Sequence, residues 1–219
     1  MTTIYLIRHG QSAANAEHFF AGWTNVDLTG TGVLQARKTA EQLANVPFDA
    51  IYSSDLLRAY RTAEPHLDFH PLEIFKNDGL REFYTGDFEG VQNDILKEKF
   101  PDIFPDYWKN SFGNYSFPNG ETVVSGAARF ARTLTEIALA HDGQTVLVTS
   151  HAGVIRAFWG LYVLRLSPDE VASAIPFATN ASYSVLTFTP DVSGGGEFSP
   201  VRYSEDAHLS DLATSLDFR

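Results

Sequence analysis

The sequence predicts an α/β fold, a three-layer α/β/α sandwich with a mostly parallel central sheet. Short apolar runs typical of buried strands alternate along the chain with longer segments whose apolar residues recur at helical spacing. Two of the strand-like runs end in a histidine followed closely by a glycine, as expected where strand ends carry a binding site. The 219 residues provide one substantial core and do not require a second. We therefore expect a single domain over residues 1–219.

The first strand is predicted at residues 4–7 and leads directly into Arg8, His9 and Gly10. Ligands of open α/β sheets bind at strand ends, where loops carry polar groups held by a rigid scaffold. Gly10 would allow a ligand close to the backbone, and free amides beyond it could receive an anion. The segment fits equally well a buried strand whose Arg8 and His9 are capped or solvated, because short motifs recur by chance.

The second strand–helix unit carries a pair of arginines. A helix is predicted over residues 29–46, and a strand follows at 48–52. The next helix, with Ser54 as its N-cap, presents Arg58 and Arg61 on one face. Two cations beside a helix N-terminus suit a phosphate, whereas an exposed helix with solvated arginines is the alternative interpretation.

The segment after this helix contains candidate metal ligands and a candidate acid. His66 and His70 have a spacing that could bind a metal, but prolines flank them and no third ligand is evident, so we expect no metal site. Farther along, Arg81 and Glu82 place a cation beside a carboxylate. Glu82 is a candidate proton donor, and a surface ion pair with Arg81 is the alternative.

An irregular, partly helical insertion is predicted at residues 91–119, because Pro101 and Pro105 interrupt any long helix. Insertions of this kind cover sites and select substrates. The aromatic side chains of the insertion favour a partly apolar substrate or loose specificity, and core packing is the alternative. These aromatic residues are Phe104, Tyr107, Trp108, Phe112 and Tyr115.

The last third of the chain repeats the arrangement seen at the first strand. The clearest helical periodicity covers residues 122–141, and a buried strand over 144–149 leads to His151. An apolar helix follows this strand. Two later strands are predicted at residues 182–189 and 201–203, joined by a glycine-rich hairpin tip. His151 is thus delivered to a strand end in the same way as His9.

Composition limits the classes of partner and reaction. With 16 Lys and Arg residues against 27 Asp and Glu, the formal net charge is −11, which argues against nucleic acids and anionic membranes as partners. The chain has no cysteine, which excludes disulfides, thiolate metal sites and cysteine nucleophiles. We find no targeting segment and no apolar run of membrane-spanning length, so a cytoplasmic enzyme is expected. An anionic substrate would need local positive charge.

The candidate side chains together suit phosphoryl transfer, which needs a nucleophile, cations around the phosphate oxygens and a proton for the leaving oxygen. The neutral imidazole of His9 is a competent nucleophile near pH 7. Arg8 and Arg58 can bind phosphate oxygens in a fork, and His151 can donate to the same oxygens. Glu82 can protonate the leaving alcohol. This set is sufficient without a metal.

Several ordered motifs of the chain resemble those of the histidine phosphatase superfamily, in the branch that contains phosphoglycerate mutases and related phosphatases. The motifs extend to about Arg156 and read LIRHGQSAAN, LTGTGVLQA, IYSSDLLRAYRTAE, LREFYTGDFEG, PNGET and VTSHAGVIR. The resemblance implies an α/β sandwich in which residues 91–119 form a wall of the substrate site. It also implies that His9 is the phosphorylated nucleophile and Glu82 the proton donor or acceptor. The implied phosphate and substrate pocket consists of Arg8, Asn15, Gly22, Arg58, His151, Ala152 and Asn180.

Departures from the mutase pattern favour a phosphatase. Mutases that resemble this chain usually carry Glu-Arg-Arg-Tyr-Gly after the leucine that corresponds to Leu80, where this chain reads Arg-Glu-Phe-Tyr. They also have paired arginines in the insertion, which here holds Lys97, Lys99 and Lys109 instead. A mutase must hold a second anionic group and so needs further cations. We therefore expect a phosphatase for monoesters of small molecules, with a mutase as the alternative.

The expected phosphatase reaction proceeds through a phosphohistidine intermediate. The resemblance implies neither a metal nor a diffusible cofactor for a phosphatase, and a bisphosphoglycerate primer only for a mutase. A small-molecule phosphate ester is the expected partner, and the sequence leaves open whether the chain is a monomer or a homodimer. A catalytically inactive module that binds phosphorylated ligands is a third hypothesis, and the intact set of candidate residues argues against it.

Overall fold

Six strands form one central sheet in the part of the chain that the computed structural model describes, residues 1–102, 104 and 112–214. They are β1 (Thr2–Arg8), β2 (Ala50–Ser53), β3 (Ile74–Lys76), β4 (Thr145–Ser150), β5 (Tyr183–Pro190) and β6 (Gly196–Glu205). Their spatial order is β3-β2-β4-β1-β5-β6. The first four in this order run parallel, whereas β5 and β6 pair antiparallel. The sheet is therefore mostly parallel, as predicted.

The two strands that carry the histidine motifs lie side by side at the centre of the sheet. In the parallel pair of β1 and β4, Ile7 lies opposite Thr149 and Arg8 opposite Ser150. The pairing continues one residue farther, where the N–H of His9 donates to the carbonyl of Ser150 at 2.9 Å. Because parallel strands end at the same edge of a sheet, the segments that follow β1 and β4 meet there.

Helices cover the sheet, and threonines cap the N-termini of two of them. Thr29 accepts a hydrogen bond from the N–H of Gly32 at 3.1 Å, and Thr122 forms a reciprocal capping box with Ser125. No helix in the described part of the chain is long and apolar enough to cross a membrane. The α-helices are α1 (Ala13–Glu17), α2 (Gly30–Gln42), α3 (Leu57–Ala63), α4 (Asn93–Lys99), α5 (Val123–Ala140), α6 (Ala152–Phe158) and α7 (Pro168–Ala174).

The helix predicted from Asp55, with Ser54 as its N-cap, starts later and is shorter. The N-cap of α3 is Leu56, and its side chain makes no capping bond. Ser54 instead accepts from the N–H of Leu56 at 3.3 Å, as part of the turn that precedes the helix. The chain then continues as a 3-10 segment, Glu64–Asp68, because Pro65 has no amide hydrogen for an α-helical bond. Ser54 is thereby left beside the strand ends.

Apolar side chains on both faces of the sheet produce the predicted three layers. Neighbouring residues of a strand point to opposite faces. Leu6 and Val148 pack into a core that includes α5 and α6. Ile7 and Leu147 pack on the other face, with α3 and the end of α2. The α/β/α sandwich is thus confirmed.

The described aromatic residues of the insertion are packed into the core. Phe104, Phe112 and Tyr115 are all buried. The ring of Phe104 lies edge-on to that of Phe20, with 5.8 Å between the centroids. These three side chains therefore follow the core-packing interpretation. The remaining insertion residues of interest, Tyr107, Trp108 and Lys109, lie outside the described residues.

Candidate active site

His9 begins the loop after β1 and lines a cleft at the end of the sheet, with 5% of its surface exposed. Its Nδ1 atom is 2.6 Å from the carbonyl oxygen of Gly10. Because a carbonyl oxygen can only accept, Nδ1 carries the hydrogen and donates it. In the neutral ring, the lone pair of Nε2 is then free. Nε2 is therefore the atom of His9 that is available as a nucleophile.

His151 approaches His9 from the end of β4. It is fully buried and is the N-cap residue of α6. The centroids of the two imidazole rings are 5.2 Å apart. The Nε2 atom of His151 is 2.8 Å from the hydroxyl oxygen of Ser54, which follows β2. The ends of three parallel strands, β1, β2 and β4, therefore meet at one site.

Burial and neighbouring cations lower the pKa of both histidines. The pKa of His9 lies well below its ordinary value, first because of burial and then because of Arg58 and Arg8. The pKa of His151 is lowered in the same way, by burial and then by Arg58 and His9. Both rings are therefore neutral at neutral pH, and the neutral imidazole is the form that can attack phosphorus.

Two buried arginines line the cleft, and backbone carbonyls hold them in place. Nη1 of Arg8 donates to the carbonyl of Ala178 at 2.6 Å. Arg58 donates to the carbonyl of Gly22 at 2.7 Å and to that of Thr24 at 3.0 Å. Burial lowers the pKa of Arg58 to about 10, so it remains a cation at neutral pH. The site therefore presents positive charge beside the nucleophile.

Glu82 lines the same cleft, and its carboxylate is held by the first turn of α6. Oε1 accepts from the N–H of Val154 and Oε2 from the N–H of Gly153, both at 2.9 Å. Arg81, the neighbouring cation in sequence, pairs with Asp55 instead, with Nε and Oδ1 2.7 Å apart. The alternative of an ion pair between Arg81 and Glu82 is therefore wrong.

The remaining predicted residues divide into cleft lining and support. Asn15, Gly22 and Ala152 line the cleft. Ala152 is the first residue of α6, so its N–H is not used by the helix itself. Asn180 is buried behind the cleft and donates to the carbonyl of His9 and to Oδ1 of Asn15, both at 3.1 Å. Its position supports the loop that carries His9.

The amides that follow His9 are used within the protein. The N–H of Gly10 donates to the hydroxyl of Thr62 at 3.0 Å, and that of Gln11 to the side chain of Gln35 at 2.7 Å. A Cβ at residue 10 would lie 2.5 Å from the carbonyl oxygen of Gly32. The expectation of free anion-binding amides at these two residues is therefore wrong, and Gly10 serves the close packing of this loop on α2.

Glu89 is a site-supporting residue that the sequence reasoning did not single out. Its carboxylate accepts from the N–H groups of Trp23, Thr24 and Thr85 at distances of 2.9 to 3.0 Å. These donors come from two loops that are far apart in sequence. The sequence signal for Glu89 is its place in an acidic turn between Gly86 and Gly90. This pattern does not indicate what the carboxylate of Glu89 binds.

Aromatic side chains form the rest of the cleft wall. Among the described residues that line the cleft, the cations are Arg8 and Arg58, and both lie at His9. Lys97 and Lys99 of the insertion are exposed on α4. The site thus combines a compact basic end with an apolar wall, whose aromatic members are Phe19, Phe20, Phe83 and Phe177.

This arrangement agrees with a family comparison. The sequence model of the histidine phosphatase superfamily (branch 1) matches residues 4–194 and so includes every candidate residue described above. The chain belongs to the histidine phosphatase superfamily. The two histidines and two arginines of the site therefore lie within the residues that match the family model.

Related histidine phosphatases include both mutases and phosphatases. The chain is 32% identical over 200 residues to the 2,3-bisphosphoglycerate-dependent phosphoglycerate mutase of Bartonella tribocorum. This alignment covers 86% of this chain and 93% of the mutase. The chain is 33% identical over 186 residues to phosphoserine phosphatase 1 of Hydrogenobacter thermophilus. This alignment covers 85% of this chain and 86% of that enzyme. Identity therefore does not separate the two reactions.

Solved structures share the fold of this chain. Bacillus stearothermophilus YhfR superposes with a TM-score of 0.86 at 28% identity, covering 95% of this chain and 100% of that chain. A mycobacterial glucosyl-3-phosphoglycerate phosphatase superposes with a TM-score of 0.83 at 23% identity, covering 93% of this chain and 99% of that chain. The latter similarity concerns the fold alone.

Proposed function

We propose that this protein is a phosphatase that hydrolyses phosphate monoesters of small molecules through a phosphohistidine at His9. The observation that carries the proposal is the state of His9, a buried neutral imidazole whose Nδ1–H is bound to the Gly10 carbonyl and whose Nε2 is free. Arg8, Arg58 and His151 surround it. A nucleophile with cations around it is what transfer of a phosphoryl group to the enzyme requires.

In the first step, Nε2 of His9 attacks phosphorus, so that an N–P bond forms and the ester P–O bond breaks. Arg8, Arg58 and His151 hold the phosphate oxygens and stabilise the charge that develops on them. Glu82, protonated in this step, gives its proton to the leaving oxygen, and the alcohol departs. The enzyme is left with a phosphohistidine and a Glu82 carboxylate.

In the second step, water attacks the phosphorus of the phosphohistidine. The Glu82 carboxylate takes a proton from the water, the N–P bond breaks, and the electron pair returns to Nε2 of His9. Inorganic phosphate leaves, and Glu82 is protonated again. The sum of both steps is one ester and one water converted to one alcohol and one phosphate.

The cleft favours hydrolysis over the mutase reaction. Its described cations, Arg8 and Arg58, both lie at the nucleophile, whereas a mutase must also hold a carboxylate or a second phosphate. The aromatic wall suits an uncharged or partly apolar leaving group. A phosphoglycerate mutase that uses a bisphosphoglycerate primer is the second candidate, and the mutase relatives are the observation that favours it.

We propose that the phosphatase reaction uses neither a metal nor a diffusible cofactor, because His9, the arginines and Glu82 supply all three requirements of the transfer. The proposed partner is a small-molecule phosphate ester. A catalytically inactive binding module is disfavoured because the nucleophile and Glu82 line the same cleft.

Phosphorus NMR of the purified protein tests the reaction directly. The substrates are a panel of monoesters that includes 3-phosphoglycerate with and without 2,3-bisphosphoglycerate. We expect the signal of inorganic phosphate to grow with several esters. Migration of the phosphoryl group on the glycerate without release would identify a mutase, and binding without any conversion would identify a binding module.

The nucleophile is tested with His9→Ala in the same assay. Phosphate release and the phosphohistidine resonance should disappear, while the thermal unfolding midpoint stays near that of the wild type. The matched control is His18→Asn, because His18 is exposed and has a left-handed backbone that asparagine tolerates. Turnover retained by His9→Ala would contradict the assignment.

A further inference from the structure

Glu89 joins two loops beside the cleft. Its Oε1 atom accepts from both the N–H and the hydroxyl of Thr85 at 2.9 Å. Its Oε2 atom accepts from the N–H groups of Trp23 and Thr24, both at 2.9 Å, and from the hydroxyl of Thr24 at 3.1 Å. Hydrogen bonds to a charged acceptor are among the stronger ones in proteins. The carboxylate of Glu89 therefore holds the backbone of residues 22–24 in a defined place.

The loop that Glu89 holds is the loop that orients Arg58. The carbonyl of Gly22 accepts from Nη2 of Arg58 at 2.7 Å, and the carbonyl of Thr24 accepts from Nη1 at 3.0 Å. The Gly22 carbonyl and the Trp23 N–H belong to one peptide group. This single group therefore bonds Arg58 at one end and Glu89 at the other. Hydrogen bonds linked in this way strengthen one another.

The contact between Glu89 and this loop leaves no room for a side chain at residue 22. Gly22 has a φ of +47°, and a Cβ there would lie 1.9 Å from Oε1 of Glu89. The indole N–H of Trp23 also donates to the carbonyl of Glu82 at 2.8 Å. The loop is therefore built around the carboxylate of Glu89 and is tied to the backbone of a second proposed catalytic residue.

We propose that Glu89 is a positioning residue, which orients the guanidinium of Arg58 toward the phosphate through the backbone of residues 22–24. The inference rests on the proposed function, since the ligand of Arg58 is taken to be the phosphate group at His9. Glu89 itself does not touch the reacting atoms in this scheme. Its removal should therefore act on phosphate binding only while Arg58 is present.

Binding of inorganic phosphate, measured by calorimetry, tests this role without requiring turnover. Glu89→Gln keeps the size of the side chain but places an amide NH₂ against N–H donors. We expect it to weaken phosphate binding about 10- to 100-fold, as loss of support for a charged contact does. The matched control is Asp87→Asn in the same turn, because Asp87 is exposed and its carboxylate bonds only the side chain of Asn119 among the described residues. It should change the affinity by no more than about twofold.

A double-variant cycle with Arg58→Ala identifies the path of the effect. In the Arg58→Ala background, Glu89→Gln should change phosphate affinity by less than about twofold. An equal loss in both backgrounds would overturn the proposal, and so would a Glu89→Gln protein that binds phosphate as the wild type does. Should Glu89→Gln fail to fold, Glu89→Asp is placed in the same cycle with the same expected pattern.

The pH dependence of phosphate binding distinguishes a specific effect of Glu89 on Arg58 from a general loss of structure in the variant. The charged and titratable groups coupled to Arg58 are Glu82 and Glu89, which raise its pKa, and His9 and His151, whose pKa values Arg58 lowers. Burial lowers the pKa of Arg58, and the two glutamates oppose this effect. Because binding is lost as pH rises through the pKa of Arg58, Glu89→Gln should move this loss to lower pH, and an unmoved profile would contradict the proposal. A wild-type protein that binds phosphate but hydrolyses no ester would refute the proposed function alone.

Discussion

At the scale of single residues, Glu82 is held by backbone hydrogen bonds and not by a countercharge. Its oxygens accept from the amides of Phe83, Gly153 and Val154, while the adjacent Arg81 is bound to Asp55. A carboxyl group held in this way keeps one orientation toward the cleft. The proposed role, proton transfer to the leaving oxygen, then depends on how much the leaving group needs a proton.

Glu82→Gln should therefore affect poor leaving groups most. We expect kcat to fall by about 10²- to 10⁴-fold for an alkyl phosphate such as glycerol phosphate, because the alkoxide cannot leave without a proton. An activated aryl ester, p-nitrophenyl phosphate, should lose much less, because its leaving group is stable as an anion. The measurement is kcat for both esters with each protein. An equal loss for both would exclude the role of proton donor.

At the scale of elements, the first turn of α6 fits against Glu82 because residue 153 is a glycine. A Cβ at Gly153 would lie 2.7 Å from Oε1 of Glu82 and 2.9 Å from the ring of Phe83. Contacts this short are not tolerated without movement. The helix thus supplies amides to Glu82 only while its second residue has no side chain.

Gly153→Ala should move Glu82 out of place and reduce kcat for the alkyl ester by about 10-fold or more, as misplacement of a reacting group does. The matched control is Gly30→Ala, at the first residue of α2, where an added Cβ would meet no atom within 4 Å. The control should retain wild-type kcat. A Gly153→Ala enzyme with unchanged kcat would show that Glu82 tolerates the shift or is not needed.

At the scale of the whole molecule, burying neutral imidazoles makes the fold sensitive to acid. His66 is fully buried, and its ring stacks on that of His70 with 6.4 Å between the centroids. Burial, followed by the effect of His70, lowers the pKa of His66 to about 3. In the unfolded chain a histidine titrates near pH 6.5. Between these two values the unfolded state binds a proton that the folded state does not.

The free energy of unfolding should therefore fall as pH decreases below about 6.5, by up to about 1.4 kcal/mol per pH unit from His66 alone. His66→Phe removes this contribution, so its stability should depend less on pH between 7 and 5. Urea unfolding of both proteins at several pH values measures the difference. His18→Asn, a change at an exposed histidine, should keep the wild-type dependence. Parallel curves for the wild type and His66→Phe would contradict the buried neutral state.

The fold class and the two strand-end histidines could be predicted from local patterns. The strands around Leu6 and Leu147 are short apolar runs, and each delivers a histidine to its end, so the α/β class follows from sequence alone. Glu82, which the sequence marks as a candidate, lines the cleft together with His9. Local patterns suffice here because strand periodicity and strand ends are properties of neighbouring residues.

Properties that depend on distant contacts could not be predicted. The start of α3 at Leu57, the use of the Gly10 amide by Thr62 and the partners of Glu89 all involve residues from separate segments. Sequence spacing carries no information about such pairs. The burial of Phe104 likewise depends on which residues the fold brings against it.

The sequence by itself determined the fold class and the candidate side chains for phosphoryl transfer. It also determined that parallel strands would bring His9 and His151 to one edge of the sheet. Only the tertiary structure decided which nitrogen of His9 is free, which amides hold Glu82, and that Glu89 holds the loop on which Arg58 rests. The physical reason is that a hydrogen bond needs donor and acceptor within about 3 Å. That condition is met between segments only after the whole chain has folded.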